Sequence, residues 1–294
     1  MPPSPTVLAV DAGSTSAKAQ LFDAAGRPLG PPVRSRVAID PDGTADPVAF
    51  AASVEVAVDD VLARSPARVD AVAVSCAWHG LVGLGADGRP TTRLSTWSAG
   101  GPDVVAAATE LRRRLAGGDL DAVRRRTGAP VHPSLPAARL LAERTRDPGA
   151  FEATARWCSI GELLEARWLA SAPGPSPSMA SATGLYDQEA RAWDAEVLAA
   201  VGVRPETLWA PDDGPRRGLA PDRAGRWPAL AGAVWWPALG DGACALVGTG
   251  CAPGFEAAGD AAADGAAASG RHRAALTIGT SAAVRVLTDE AGRA

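Results

Sequence analysis

The sequence predicts an α/β fold with a mixed sheet, and three observations carry that expectation. The chain opens on short apolar runs separated by turns of small and hydroxyl residues. Segments with helical apolar spacing then alternate with further short strands. A strand–turn–strand unit near the start is echoed near the end. The echo, 276–278 before 279–281 matching 8–10 before 13–15, suggests two related halves. At 294 residues and roughly 150 residues per domain, two domains are expected, over 1–232 and 233–294.

Each element follows from its local pattern. Residues 7–10, Val-Leu-Ala-Val, make a short buried strand that runs into a turn of small and hydroxyl residues. Residues 17–22 alternate, with Ala17, Ala19 and Leu21 on one face and Lys18, Gln20 and Phe22 on the other. Residues 33–39 supply a third strand, so the opening is an antiparallel meander. A helix is expected over 47–63, with Pro47 at its start, where a missing N–H costs nothing. A strand over 69–75 follows, then a hairpin of 81–84 and 94–97 around a turn at 86–89. Helices are expected over 104–115, 136–144 and 160–170, the last capped by Ser159. A Pro/Ser-rich loop covers 172–178, and a helix over 193–201 ends at Gly202.

A new unit is expected from 233 on. It holds a strand over 233–236, a turn at 239–242 and a small-residue helix start at 243–247. An Ala/Gly/Asp-rich flexible insertion over 252–270 precedes strands at 274–278 and 282–287 around a turn at 279–281. These strands have few partners and an exposed edge, which reads as a chain cut short within its second domain.

Composition excludes several classes. A hydrophobic fraction of 47% against 21% charged residues is enough for a real core and excludes dominant disorder. A formal net charge of -4 gives no general attraction to nucleic acid or to an anionic membrane. No run is long enough to span a bilayer, and the apolar stretch 7–10 is too short for a signal-peptide core, so a cytoplasmic location is expected. The four cysteines, Cys76, Cys158, Cys244 and Cys251, form no CxxC pair, which argues against a disulfide framework or a zinc site. Lys18 is the sole lysine in an arginine-using chain, a reason to look at its neighbourhood.

Four stretches carry chemistry. Asp11-Ala12-Gly13-Ser14-Thr15-Ser16-Ala17-Lys18 offers what a phosphate needs: N–H groups, hydroxyls, a glycine that admits close approach, and a cation. Asp11, ending a buried strand, can hold Mg²⁺ through water. The stretch is no Walker A loop, and read alone it is equally an ordinary polar hairpin turn. Asp241, between Gly240 and Gly242, is either a helix cap or a general base with room for a substrate hydroxyl. Ser75-Cys76-Ala77-Trp78-His79-Gly80 reads as a Cys76/His79 nucleophile pair, as a substrate rim with Trp78 as platform and His79 bonding a hydroxyl, or as a core histidine. Among nine tryptophans, Trp97 stands out because it ends a strand beside that turn.

In order, these pieces resemble the FGGY family of carbohydrate kinases. Asp11 through Lys18 resembles its first phosphate motif. The stretch 75–80 with 94–97 resembles its sugar-side segment, and 178–187 with Trp193-Asp194 its mid-domain signature, especially in gluconokinase-like members. The stretch 240–245 resembles the segment with the catalytic aspartate, and 276–281 the second phosphate motif. The resemblance implies an actin-like, ribonuclease-H-like ATPase fold, complete in its first domain and incomplete in its second. It implies a kinase moving the ATP γ-phosphate to a hydroxyl of a sugar or sugar acid, a gluconate-like one favoured. ATP and Mg²⁺ would be the cofactors.

In that reading Asp241 is the catalytic base and touches the substrate, with Trp78, His79 and Trp97 on the sugar side. Asp11 positions the metal. Asp11, Gly13, Ser14, Thr15, Ser16 and Lys18, with Gly279, Thr280 and Ser281, hold the nucleotide phosphates. A small molecule is the expected partner, with a homodimer allowed and neither nucleic acid nor membrane involved. Ala99 and Gly101 stand where the family usually has an Asp and an Arg near the sugar, which leaves the sugar undetermined. The alternative is a non-catalytic sugar-binding fragment or inactive remnant of such a kinase.

Overall fold

A computed structural model describes residues 5–65, 68–171, 173–251, 274–278 and 282–286. Its centre is a twisted mixed sheet. Val7–Ala12 pairs antiparallel with Ser16–Phe22, which pairs antiparallel with Val33–Arg36, giving the expected meander. On its other side Val7–Ala12 pairs in parallel with Ala71–Cys76, in register from Val7 opposite Ala71 to Ala12 opposite Cys76. Leu8, Val10, Ala12, Ala17, Ala19 and Leu21 are all buried, because period-two alternation sends one set of side chains to one face. Val33–Arg36 stops three residues short of expectation. The Val37 N–H leaves the ladder and donates to the Thr15 carbonyl.

Helices cover the sheet. Pro47–Ala63 occupies the expected residues; the Asp46 side chain accepts from the Ala49 N–H and Pro47 sits in the first turn. Ile160–Trp168 packs against Ala71–Cys76 and begins with a reciprocal capping box between Ser159 and Glu162. A second core forms where Pro102–Leu115, Pro136–Arg146 and Ala195–Val201 meet around Leu111, Leu140 and Leu198.

Two expectations are corrected. The hairpin of 81–84 and 94–97 does not form as a unit. Val82–Leu84 pairs with Arg156–Cys158, Leu94–Ser95 pairs with Thr44–Ala45, and a single bridge, Leu81 to Ser95, links the two runs among the described residues. The turn at 239–242 is instead a strand end and a helix start. Val234–Trp235 and Leu239–Gly240 both pair in parallel with Ala71–Cys76, and Asp241–Gly248 follows as a helix. Residues 274–278 and 282–286 form the expected antiparallel pair. The insertion at 252–270 and the turn holding Gly279, Thr280 and Ser281 lie outside the described residues.

Candidate active site

Three parallel strand ends build the site. Asp11, Ser75 and Leu239 stand side by side across the sheet, and Ala12, Cys76 and Gly240 follow one residue on. Neighbouring strands are spaced about 4.8 Å apart, so Asp11 and the start of the Asp241–Gly248 helix are two strand spacings apart on the same edge. The crevice beyond the carboxyl ends of parallel strands is where open α/β sheets bind ligands.

Asp11 is tied by register. Lys18 is its direct cross-strand partner, and Lys18 Nζ donates to Asp11 Oδ2 at 2.8 Å while Ser75 Oγ donates to Oδ1 at 3.2 Å. Both charged side chains remain about a third exposed, so the pair adds little stability and leaves both groups reachable. Gly13 does not take a left-handed φ. A Cβ there would lie 3.0 Å from the Ser16 carbonyl oxygen, so closure of the hairpin is what favours glycine. Ser14 and Ser16 are half-buried and Thr15 exposed at this tip.

Asp241 is exposed at the first helical position, after Gly240 as N-cap, and its carboxylate accepts only the Gly242 N–H, at 2.8 Å, among the described residues. The positive end of the helix favours a carboxylate there. The two glycines have a different cause from room for substrate. A Cβ on Gly240 would stand 1.6 Å from Trp78 Nε1, and one on Gly242 would stand 2.3 Å from Trp78 Cζ3. The indole therefore lies directly on the backbone that carries Asp241. Ser178 fixes this seat: its carbonyl accepts from Trp78 Nε1 at 3.1 Å and its hydroxyl from the Gly240 N–H at 3.2 Å. The Arg285 guanidinium stands 6.0 Å from the Trp78 ring centroid.

His79 takes a left-handed φ of 65°, uncommon for a residue with a side chain. Its Nδ1 lies 2.7 Å from the Ala182 carbonyl oxygen. A carbonyl can only accept, so Nδ1 carries the proton and Nε2 is left as an acceptor. Burial holds the His79 pKa below its ordinary value; the Ala182 bond opposes this, Arg139 adds to it, and Asp241 opposes it. His79 is thus neutral at pH 7. The Cys76 thiol is fully buried, and burial pushes its pKa far up, so a Cys76/His79 nucleophile pair is excluded.

Trp78 and His79 line a cavity of about 400 Å³ together with His132, Ser134, Ser181 and Gln188. The sequence reading missed the last four. A signal was available for His132, since histidine is used only three times in 294 residues. Beneath the cavity lies Arg139, 3% exposed, whose guanidinium donates to the backbone carbonyls of His79 and Ser134. Trp97 is half-buried and lines neither this cavity nor the neighbouring one of about 600 Å³, whose wall includes Ala99, Gly101 and Arg139.

No group of three or more His, Cys, Asp or Glu side chains able to hold a metal occurs among the described residues. A Mg²⁺ held largely by water and phosphate needs one or two carboxylates. The accessible Asp11 carboxylate, flanked by the Ser75 hydroxyl, fits that requirement.

The fold is that of an actin-like α/β domain. The chain belongs to the FGGY family of carbohydrate kinases, whose N-terminal domain matches residues 6–211. Curated relatives include gluconokinases of Bacillus subtilis (strain 168) and Bacillus licheniformis, both 25% identical over 69% of this chain and 39% of theirs. Among solved structures, gluconate kinase from Lactobacillus acidophilus superposes with a TM-score of 0.76 at 20% identity, over 85% of this chain and 50% of that one. Glycerol kinase from Plasmodium falciparum with ADP gives a TM-score of 0.72 at 13% identity, over 84% and 51%. The chain therefore spans about half the length of these structures and less than half that of the curated relatives.

Proposed function

We propose that the protein, at the full length of its relatives, phosphorylates a sugar or sugar acid with ATP, and that its acceptor is gluconate-like. The observation that carries this reading is the pairing of Asp11 and Asp241 on one edge of the parallel sheet, two strands apart, beside a cavity lined by Trp78 and His79. Asp241, exposed at the start of its helix, takes the proton of the acceptor hydroxyl. His79 Nε2 accepts a hydrogen bond from another hydroxyl, and Trp78 supplies an apolar face. Gly13, Ser14, Thr15, Ser16 and Lys18 receive the nucleotide phosphates, joined by Gly279, Thr280 and Ser281.

Asp11 would hold Mg²⁺, which when bound neutralises charge on the phosphates. The residues contribute position and charge compensation, the main requirements of phosphoryl transfer. On this reading residues 1–232 form the sugar-side domain together with the strands Val234–Trp235 and Leu239–Gly240 that join its sheet, and the residues that follow lead into the ATP-binding domain. The gluconokinase relatives support a sugar acid as acceptor.

The test is ATP-dependent ADP release across a panel of sugars and sugar acids, using the protein at the full length of its relatives. Turnover is expected with a sugar acid. Absence of turnover with every member of a broad panel would overturn the reading.

A further inference from the structure

We propose that Arg139 is a positioning residue for the substrate pocket and that its buried charge makes the pocket prefer an acid over the corresponding neutral polyol. The inference rests on the sugar-acid reading above and adds the residue that sets the preference.

Arg139 reaches two separate stretches of pocket wall. Nη1 donates to the backbone carbonyl of His79, sixty positions away, and Nη2 to that of Ser134. Both residues line the cavity of about 400 Å³. One rigid guanidinium therefore fixes the distance between the two walls, which a flexible ammonium cannot do equally well. The hold acts on a residue whose φ of 65° is uncommon for one with a side chain.

The charge is the second part. Arg139 is 3% exposed and has no carboxylate within 4.0 Å among the described residues, and its Nε has no hydrogen-bond partner. Burial lowers its pKa only to about 10, so it stays charged at neutral pH. On its far side the carboxylates of the larger cavity are already engaged. Asp103 and Glu143 pair with Arg146, Asp42 accepts from Thr44, and Asp147 caps the helix that begins at Pro148. Arg93 pairs with Asp40. On its near side the cavity with Trp78 and His79 has no Asp or Glu in its wall among the described residues. An uncompensated buried cation projects its field with little screening. Arg139 itself stands in the wall of the larger cavity and reaches the smaller one through the His79 and Ser134 carbonyls that it holds; on the proposal, a substrate carboxylate on that side is its counter-charge.

The groups that act on His79 are Arg139, Asp241 and His132, besides the Ala182 carbonyl. Arg139 and His132 disfavour its protonation and Asp241 favours it. Burial is the largest cause that lowers the His79 pKa and the Arg139 charge adds to it, so removing that charge is expected to raise it; Arg139→Lys, which alters the shape and keeps the charge, separates this from a rise caused by an opened pocket.

The experiment compares Arg139→Gln and Arg139→Lys with the parent chain. Calorimetry measures the affinity for D-gluconate and for D-glucitol, the same carbon skeleton without the carboxylate. NMR titration of the His79 ring, without ligand, measures its pKa. Arg139→Gln is expected to weaken gluconate about tenfold or more, the size of a single charge at this range, with a clearly smaller loss for glucitol, and to raise the His79 pKa. Arg139→Lys is expected to keep the preference and the pKa while weakening both ligands alike. Equal losses for both ligands with an unmoved His79 pKa in Arg139→Gln would overturn the proposal.

Should Arg139→Gln not fold, Ala99→Asp sets a carboxylate in the cavity behind Arg139. It is expected to cut the gluconate preference and raise the His79 pKa, and failure of both would equally overturn the proposal. If the parent chain binds neither ligand, the sugar-acid reading and the preference fall, while the His79 titration still decides whether the Arg139 charge reaches the pocket.

Discussion

The indole of Trp78 occupies the space that a side chain on Gly240 would fill, with Nε1 1.6 Å from the position of a Gly240 Cβ. A residue after one strand of the sheet thus dictates the residue type at the end of a neighbouring strand. The glycine flanking Asp241 on that side is a packing requirement. Gly240→Ala is expected to destabilise the chain by about 1–3 kcal/mol, as overpacking does, because Ser178 holds the indole from behind. Gly248→Ala, with nothing within 4 Å of the new methyl and a helical position, is expected to be neutral or to stabilise by up to about 1 kcal/mol. Urea unfolding of both variants checks the contrast; equal midpoints would contradict it.

The meander, the Pro47–Ala63 helix and the capped Ile160–Trp168 helix were legible because each states its structure locally: alternation, a proline at the start, a capping box. Leu120–Thr127 was not. It buries only Val123 and Thr127, so it shows no apolar stripe, and its ends are marked only by Asp119 and by Gly128 at φ 64°. The partners of Val82–Leu84 and Leu94–Ser95 lie in distant segments, and pairing across such distances leaves no local trace. In the site, Asp11, Asp241, Trp78 and His79 could be picked out by neighbouring glycines and strand ends. Arg139 could not, since an arginine within a helical stretch reads as solvated until its burial is seen.

Glu55 is 3% exposed on the Pro47–Ala63 helix and gathers three arginines, Arg167 at 3.4 Å, Arg223 at 3.1 Å and Arg226 at 2.6 Å, with the Trp168 indole N–H at 3.2 Å. It joins the first helix to the segment leading into the strand before Asp241. Glu55→Ala leaves these donors around an empty site and is expected to cost about 3 kcal/mol. Chemical denaturation measures it; a loss below about 1 kcal/mol would show that the arginines find water instead.

Glu165 is 5% exposed and accepts the Ala238 N–H at 3.2 Å, three residues before Asp241. Burial raises its pKa from 4.5 to about 7, against the pull of Arg216. The folded chain therefore holds a proton that the unfolded chain has released between those two values. Stability is expected to fall as pH rises from about 4.5 to about 7, by at most about 3 kcal/mol from this group. Glu162, also raised by burial, acts in the same direction. In Glu165→Gln the slope over that window should flatten, measured as denaturation midpoint against pH. An unchanged slope would assign the proton elsewhere.

Gly13→Val would place a branched side chain 3.0 Å from the Ser16 carbonyl oxygen at the hairpin tip. On the proposed role of that hairpin, Mg-ATP affinity should fall about tenfold or more, because backbone donors can no longer approach the phosphates. Calorimetry on a folded variant decides it. Unchanged affinity would remove the hairpin from the phosphate site.

The most direct measurement is the turnover of Asp241→Asn beside the parent protein, each at the full length of its relatives, with a sugar-acid acceptor and ATP. A positioned general base accounts for about 10²–10⁴ in rate, so ADP release should drop by that factor while calorimetry shows acceptor binding nearly unchanged. Near-normal turnover in the variant would contradict the account and leave Asp241 a residue of the helix start alone.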